Sequence, residues 1–346
     1  MFCPSAIPGS PQEDLLVTEL RILLGAVLSV VWFQATTLAA DSALVFPAGA
    51  QPEQLWSDGE FTEGVVSSPA GAIYFSDIAS KTPGRILKFD PKSKTTSVYS
   101  ADSGKSNGLT FDAKGNLIAC CGAAGGRRAV CRVTESGGLE PIVSTFEGKP
   151  LNAPNDLDIH PKGWIFFSDP RYGGPESIDI DHMSVYRYEP DSGKLVRATR
   201  DITKPNGVVL SPDGRTLYVA ETDNGFPAVP GAGSGAGQVH MTLNAFSVDE
   251  NGNLGKRRVL KDFGKETGID GMTVDAQGRI FAAVRAESRF GIGVYDSDGK
   301  ELAFLKTPDV PTNCGFGRGD EASVLYITAG KSLYRVPTTT RGWFAF

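Results

Sequence analysis

Five times along this chain an oxygen-bearing residue stands eight positions before a turn glycine: Glu63 and Gly71, Asn107 and Gly115, Asn155 and Gly163, Asn206 and Gly214, Asp270 and Gly278. The fullest copy is Asn152 to Pro170, NAPNDLDIHPKGWIFFSDP. It reads as a polar Asn155–Asp156 pair, an alternating strand, a turn at Gly163, and a second apolar strand ending in Ser168–Asp169. A sixth copy begins at Asn313 (NCGFGRGDE) and lacks the glycine. Successive turn glycines are 44, 48, 51 and 64 residues apart. A period of about 40 to 50 residues signals a propeller or an array rather than separate domains. The repeats fit one closed body of six blades.

Within each repeat the pattern is strand, turn, strand. Second strands are AIYFSD, NLIACC, WIFFSD, TLYVAE and RIFAAV; third strands are RILKFD, AVCRV, SVYRYE, LNAFSV and GVYDS; fourth strands include TTSVYS, LVRATR and ELAFLKT. Short apolar or alternating runs bounded by Gly, Asp and Pro are strand signals. Four antiparallel strands per repeat describe a propeller blade, so the expected class is all-β. The last repeat supplies only NCGFG, SVLYITA and SLYRVPT. The segment PEQLWSD before Glu63 occupies the place that fourth strands hold elsewhere, and is expected to close the ring by completing the final blade. Residues 227–238, PAVPGAGSGAGQ, account for the long spacing as a Gly-rich loop inserted in the fourth blade.

Residues 1–40 stand apart from the single propeller domain expected over 41–346. After Arg21 comes the apolar run ILLGAVLSVVWF and then QATTLAADS. The run is short for a bilayer span and suits a secretory signal peptide cleaved near Ala40, which would make the protein secreted or periplasmic. The acidic, proline-containing start fits a positive n-region poorly, so an N-terminal anchor or a misassigned start is the other reading. Net charge is −6 with Lys and Arg scattered, which argues against nucleic acid as a partner. Five cysteines make no disulfide framework. Cys120, Cys121 and Cys131 fall on neighbouring strands, where a bridge and buried free thiols are both open readings.

In an up-and-down blade the start of the first strand and the end of the second lie at one end of the ring. Glu63, Asn107, Asn155, Asn206, Asp270 and Asn313 are therefore expected around the axis at one mouth. Asp77, Arg127, Asp169, Arg171, Tyr172, Asp223, Arg285 and Ser288 are expected on the loops above them. Two carboxylates and several amide carbonyls suit a hard cation with oxygen ligands; Ca²⁺ takes about six to eight of them at flexible geometry, whereas Mg²⁺ is stricter. Zinc is disfavoured as the resident ion because no His or Cys recurs at the offset, although Zn²⁺, Mg²⁺ or Mn²⁺ could substitute in vitro. His160, His182 and His240 do not cluster and read as surface or packing residues. A single Asn-Gly or Asp-Gly pair would read as turn chemistry. Recurrence, with Glu in one copy and Asp after Asn155, points to a functional ring instead.

FTEG at 61–64, APND through FFSDP at 153–170, KPNG through SPDGRTLYVAE at 204–221 and DGM at 270–272 resemble the senescence-marker-protein, gluconolactonase and regucalcin family over nearly all of residues 44–336. The resemblance implies a divalent cation in the central channel, held at Glu63, Asn155, Asn206 and Asp270. It further implies that Asp270 is the acid–base residue and that Asn155 also contacts substrate. Asn107, Asp169, Arg171, Tyr172 and Asn313 complete the candidate substrate side. Regucalcin-like members carry an Arg two residues before the Asn155 position; here it is Ala153. The implied activity is calcium-dependent opening of a sugar-type or related small-molecule lactone by a monomer or weak dimer. The alternatives are a non-catalytic, metal-plugged propeller binding carbohydrate or protein, and phosphotriester hydrolysis as in the similar diisopropylfluorophosphatase propellers.

Overall fold

A computed structural model describes residues 45–225 and 239–346. The N-terminal segment and the 227–238 loop singled out above lie outside the described residues. Six four-stranded antiparallel sheets follow one another along the chain. Their inner strands are Thr62–Ser67, Ser106–Phe111, Leu157–Ile159, Pro205–Leu210, Ile269–Val274 and Pro311–Phe316. Each inner strand touches the next, and the sixth touches the first, so the blades form a closed ring. No helix of the described residues is long and apolar enough to cross a membrane.

The composition of each strand follows from its depth. Second strands are covered on both faces by adjacent blades, and IYFSD, LIACC, IFFSD and IFAAV are buried at every position. That explains their unbroken apolar runs. Outermost strands such as Thr95–Ser100 alternate or stand exposed. The apolar core is accordingly a set of wedges between blades. Phe281 of blade 5 meets Phe316 of blade 6 edge-on at 5.0 Å, with Ile292, Leu325 and Ile327 in the same wedge.

Glu53–Trp56 completes the sixth sheet against Ser332–Pro337, as the repeat count required. Glu53 binds Arg335 at 2.7 Å, and Trp56 reaches forward to Phe75 of blade 1 at 5.3 Å. First and last repeats are thereby locked together. The five turn glycines all have positive φ, from +70° to +88°. Glycine reaches that region without the Cβ penalty, which fixes the hairpin at a constant distance from the inner end of the strand. The sixth hairpin, with Glu321 at the eight-residue offset in place of glycine, is longer and contains the 3-10 turn Gly319–Glu321.

The carboxyl end has no counterpart in the repeat pattern. Trp343 N donates to Val274 O at 3.2 Å, and Arg318 stacks over Phe344 at 3.8 Å. Phe344 and Phe346 border a 90 Å³ cavity among the far ends of the inner strands, with Val65, Phe111, Ile159 and Phe316. The tail thus crosses the end of the ring opposite the predicted mouth. Cys120, Cys121, Cys131 and Cys314 are buried free thiols. Burial pushes the Cys120 and Cys314 thiols well up, so they behave as small core side chains.

Candidate active site

Every inner strand except the third breaks register where its ring residue sits. The shifts fall between Glu63 and Val65, Ser106 and Leu109, Pro205 and Val208, Ile269 and Met272, and Pro311 and Asn313. A bulge re-aims a side chain that regular alternation would turn toward a neighbouring blade. The third inner strand begins only at Leu157, and Asn155 is held ahead of it by its N–H to Ser168 O at 3.0 Å.

The glycine that follows four of the six ring residues is explained by the next blade. A Cβ on Gly64 would stand 2.0 Å from Asn107 O, one on Gly207 2.3 Å from Asp270 O, and one on Gly271 2.2 Å from the Asn313 side chain. Asn-Gly and Asp-Gly here are strand residues at blade-to-blade contacts, not hairpin turns. Blade 3 has Asp156 in the glycine position. Its carboxylate accepts Leu157 N at 3.0 Å and Val208 N of blade 4 at 3.1 Å, so a side chain makes the contact that backbone makes elsewhere.

Glu63, Asn155, Asn206, Asp270 and Asn313 are buried, and Asn107 is half-buried. Burial and the neighbouring Asp270 charge push the Glu63 carboxyl well above the usual carboxylate range. Burial likewise raises Asp270, while Arg285 and a hydrogen bond from Asn206 pull it back. The Arg285 guanidinium rests on Asp270 Oδ2 and is itself held charged by Asp270 and then by Glu63. Glu63 receives one hydrogen bond among the described residues, from Gly64 N at 3.3 Å. Two buried carboxylates with one guanidinium on Asp270, and Glu63 almost without donors, form a site that suits an added cation. Among the described residues no three His, Cys, Asp or Glu side chains gather as a metal group. A cation here would therefore rely on the amide oxygens of Asn155 and Asn206 beside Glu63 and Asp270. That all-oxygen, low-charge set fits Ca²⁺ better than zinc.

The loop residues divide into two groups. Asp77 accepts Glu60 N and Phe61 N at 2.8 and 3.2 Å, and Asp169 accepts Asn152 N and Ala153 N at 2.9 and 2.8 Å. Glu221 accepts Thr203 N at 2.9 Å in the same way. These acids, at the ends of second strands, clamp the backbone leading into Glu63, Asn155 and Asn206. Arg171 is also enclosed, donating to Glu176 O at 2.8 Å and Asn152 O at 2.9 Å. Asn313 turns its Oδ1 back to Cys314 N at 2.8 Å. Asp223 pairs with Lys204, Ser288 binds Glu266 at 2.6 Å, and Arg127 faces Asp102 at 3.5 Å on the exposed rim. Tyr172 belongs with the centre. Its hydroxyl donates to Thr222 O at 2.8 Å, and burial with the nearby Asp270 charge pushes it well up. Asn107, Asn155 and Tyr172 share a 490 Å³ cleft beside the ring. Arg285 was legible only as a rim residue, since nothing in a strand-ending VRAE announces an ion pair with Asp270. His160 stacks on Trp164 at 4.8 Å and His182 binds Ser184 at 2.9 Å, both away from the ring.

Residues 61–331 match the profile of the SMP-30/Gluconolactonase/LRE-like region. The chain belongs to that family. A gluconolactonase of Zymomonas mobilis is 30% identical over 319 residues, covering 84% of this chain and 82% of that protein. The solved structure of a Xanthomonas campestris gluconolactonase has a TM-score of 0.72 at 30% identity, over 86% of this chain and 92% of that one. A calcium-binding regucalcin from Agrobacterium tumefaciens has a TM-score of 0.66 at 21% identity, over 85% and 96% of the two chains, a likeness of fold. The SMP-30 fold thus carries, in this chain, a ring of ligand-type residues at one end and a tail across the other.

Proposed function

We propose that this SMP-30-family protein is a divalent-cation-dependent lactone hydrolase, with Ca²⁺ the favoured ion. One observation carries the reading: Glu63 and Asp270 are buried together at one mouth of the ring, beside two asparagine side chains and an accessible cleft. The gluconolactonase relatives that span most of the chain support the reaction class. When bound, the cation would supply Lewis-acid polarisation of the lactone carbonyl and stabilise the oxyanion.

The chain's own residues do the rest. Glu63, Asn155, Asn206 and Asp270 would hold the ion. Arg285 binds Oδ2 of Asp270 and fixes its carboxylate, which would accept a proton from the attacking water. Water adds to the carbonyl carbon, the ring C–O bond breaks, and the proton passes to the leaving alkoxide to give the hydroxy acid. Asn107 and Tyr172 line the approach. Purified protein should open lactones faster than buffer, lose that on chelation, and regain it with Ca²⁺. Chelation-insensitive opening, or binding of a cation without turnover on a lactone and ester panel, refutes the proposal; the second result favours a non-catalytic propeller.

A further inference from the structure

The cleft beside the charged centre has a chemistry of its own. It shares Asn107, Asn155 and Tyr172 with the centre, so a molecule seated there reaches the ring. Its remaining wall is largely Phe61, Ile78, Ala79, Ala123, Ala153 and Pro154, side chains without hydrogen-bonding groups. The polar residues at its edge are already engaged: Lys105 Nζ donates to Thr82 O at 2.6 Å and to Ala79 O, and Glu60 accepts Ser80 N at 2.8 Å. At 490 Å³ the space lies in the range of small-molecule sites, about 300 to 1,000 Å³. An apolar wall gives the hydroxyls of a sugar lactone little to exchange for water, and a polar group desolvated without a partner weakens binding. An alkyl or aryl substituent gains from the same wall.

We propose that the substrate class is a lactone whose ring carries an apolar substituent, seated in this cleft with its carbonyl at the charged centre. This rests on the lactonase reading above. The test is a pH-stat comparison of Ca²⁺-loaded full-length protein on δ-valerolactone, δ-hexalactone, δ-octalactone, δ-decalactone and glucono-δ-lactone. kcat/KM should climb about fourfold per added methylene until the cleft is filled, the gain expected for burying a CH₂ group. The best alkyl lactone should exceed glucono-δ-lactone by about tenfold or more, two buried methylenes already giving that factor. Ala79→Leu, which narrows the cleft, should move the optimum to a shorter chain. Ala153→Gln, which adds an amide to the wall, should raise the relative rate on glucono-δ-lactone. A flat alkyl series, or preference for glucono-δ-lactone, overturns the substrate assignment and leaves lactone hydrolysis standing. No opening of any of these lactones overturns both.

Discussion

Asp270 is held by the Arg285 guanidinium and an Asn206 hydrogen bond, and it faces the charge of Glu63. Asp270→Asn and Glu63→Gln each remove one negative charge from the ring, so both should weaken Ca²⁺ binding. Saturating Ca²⁺ should restore most activity to Glu63→Gln. Asp270→Asn should stay about 10² to 10⁴ below wild type if it moves the proton. Equal rescue of both would reduce Asp270 to a ligand. Asp169 makes a different claim. Burial pushes its carboxyl from the ordinary 3.8 up to about 7, against the pull of the Asn152 and Ala153 N–H groups. The folded protein therefore holds this proton more tightly than the unfolded chain does. Its contribution to stability is full below about pH 4 and is lost as pH rises to about 7, by about 4 kcal/mol at most. Urea midpoints across that window should fall less steeply for Asp169→Asn than for wild type. Parallel slopes would show that Asp169 does not titrate there.

At the scale of the element, two glycines of successive repeats do unlike work. Gly207 exists because blade 5 passes so close, whereas Gly163 has nothing within 4 Å of a Cβ but sits at φ +85°. Gly207→Ala must push against the Asp270 backbone and should cost about 1 to 3 kcal/mol and also weaken Ca²⁺ binding. Gly163→Ala should cost about 1 to 2 kcal/mol through backbone strain alone and leave Ca²⁺ affinity unchanged. Thermal melts with and without Ca²⁺ separate the two; loss of affinity in Gly163→Ala would remove the distinction. The eight-residue offset was legible because both its ends are fixed by geometry, one by blade contact and the other by a positive-φ turn. The bulges were not legible, since a register shift depends on the partner strand. Asp169 was ambiguous for another reason: Ser-Asp at a strand end reads equally well as a clamp or as a site residue. Arg285 needed the register of the fifth-blade hairpin, with Ile269 opposite Val284, before its partner could be named.

At the scale of the whole molecule, closure was readable because one repeat lacked a strand and one stray strand preceded the first. Deleting residues 45–57 should leave the Ser332–Pro337 edge unpaired and yield aggregated protein. A soluble, cooperatively unfolding deletion protein would show that the ring does not need its clasp. The tail was unreadable because it has no periodicity and takes its shape from the cavity it enters. Its position also governs traffic. With Phe344 and Phe346 set among the far ends of the inner strands, the described residues leave only a 90 Å³ space there, against 490 Å³ in the cleft beside the ring. A hydroxy acid made at the ring must leave by the way the next lactone comes in, so product and substrate queue for the same opening and arrival cannot be separated from departure.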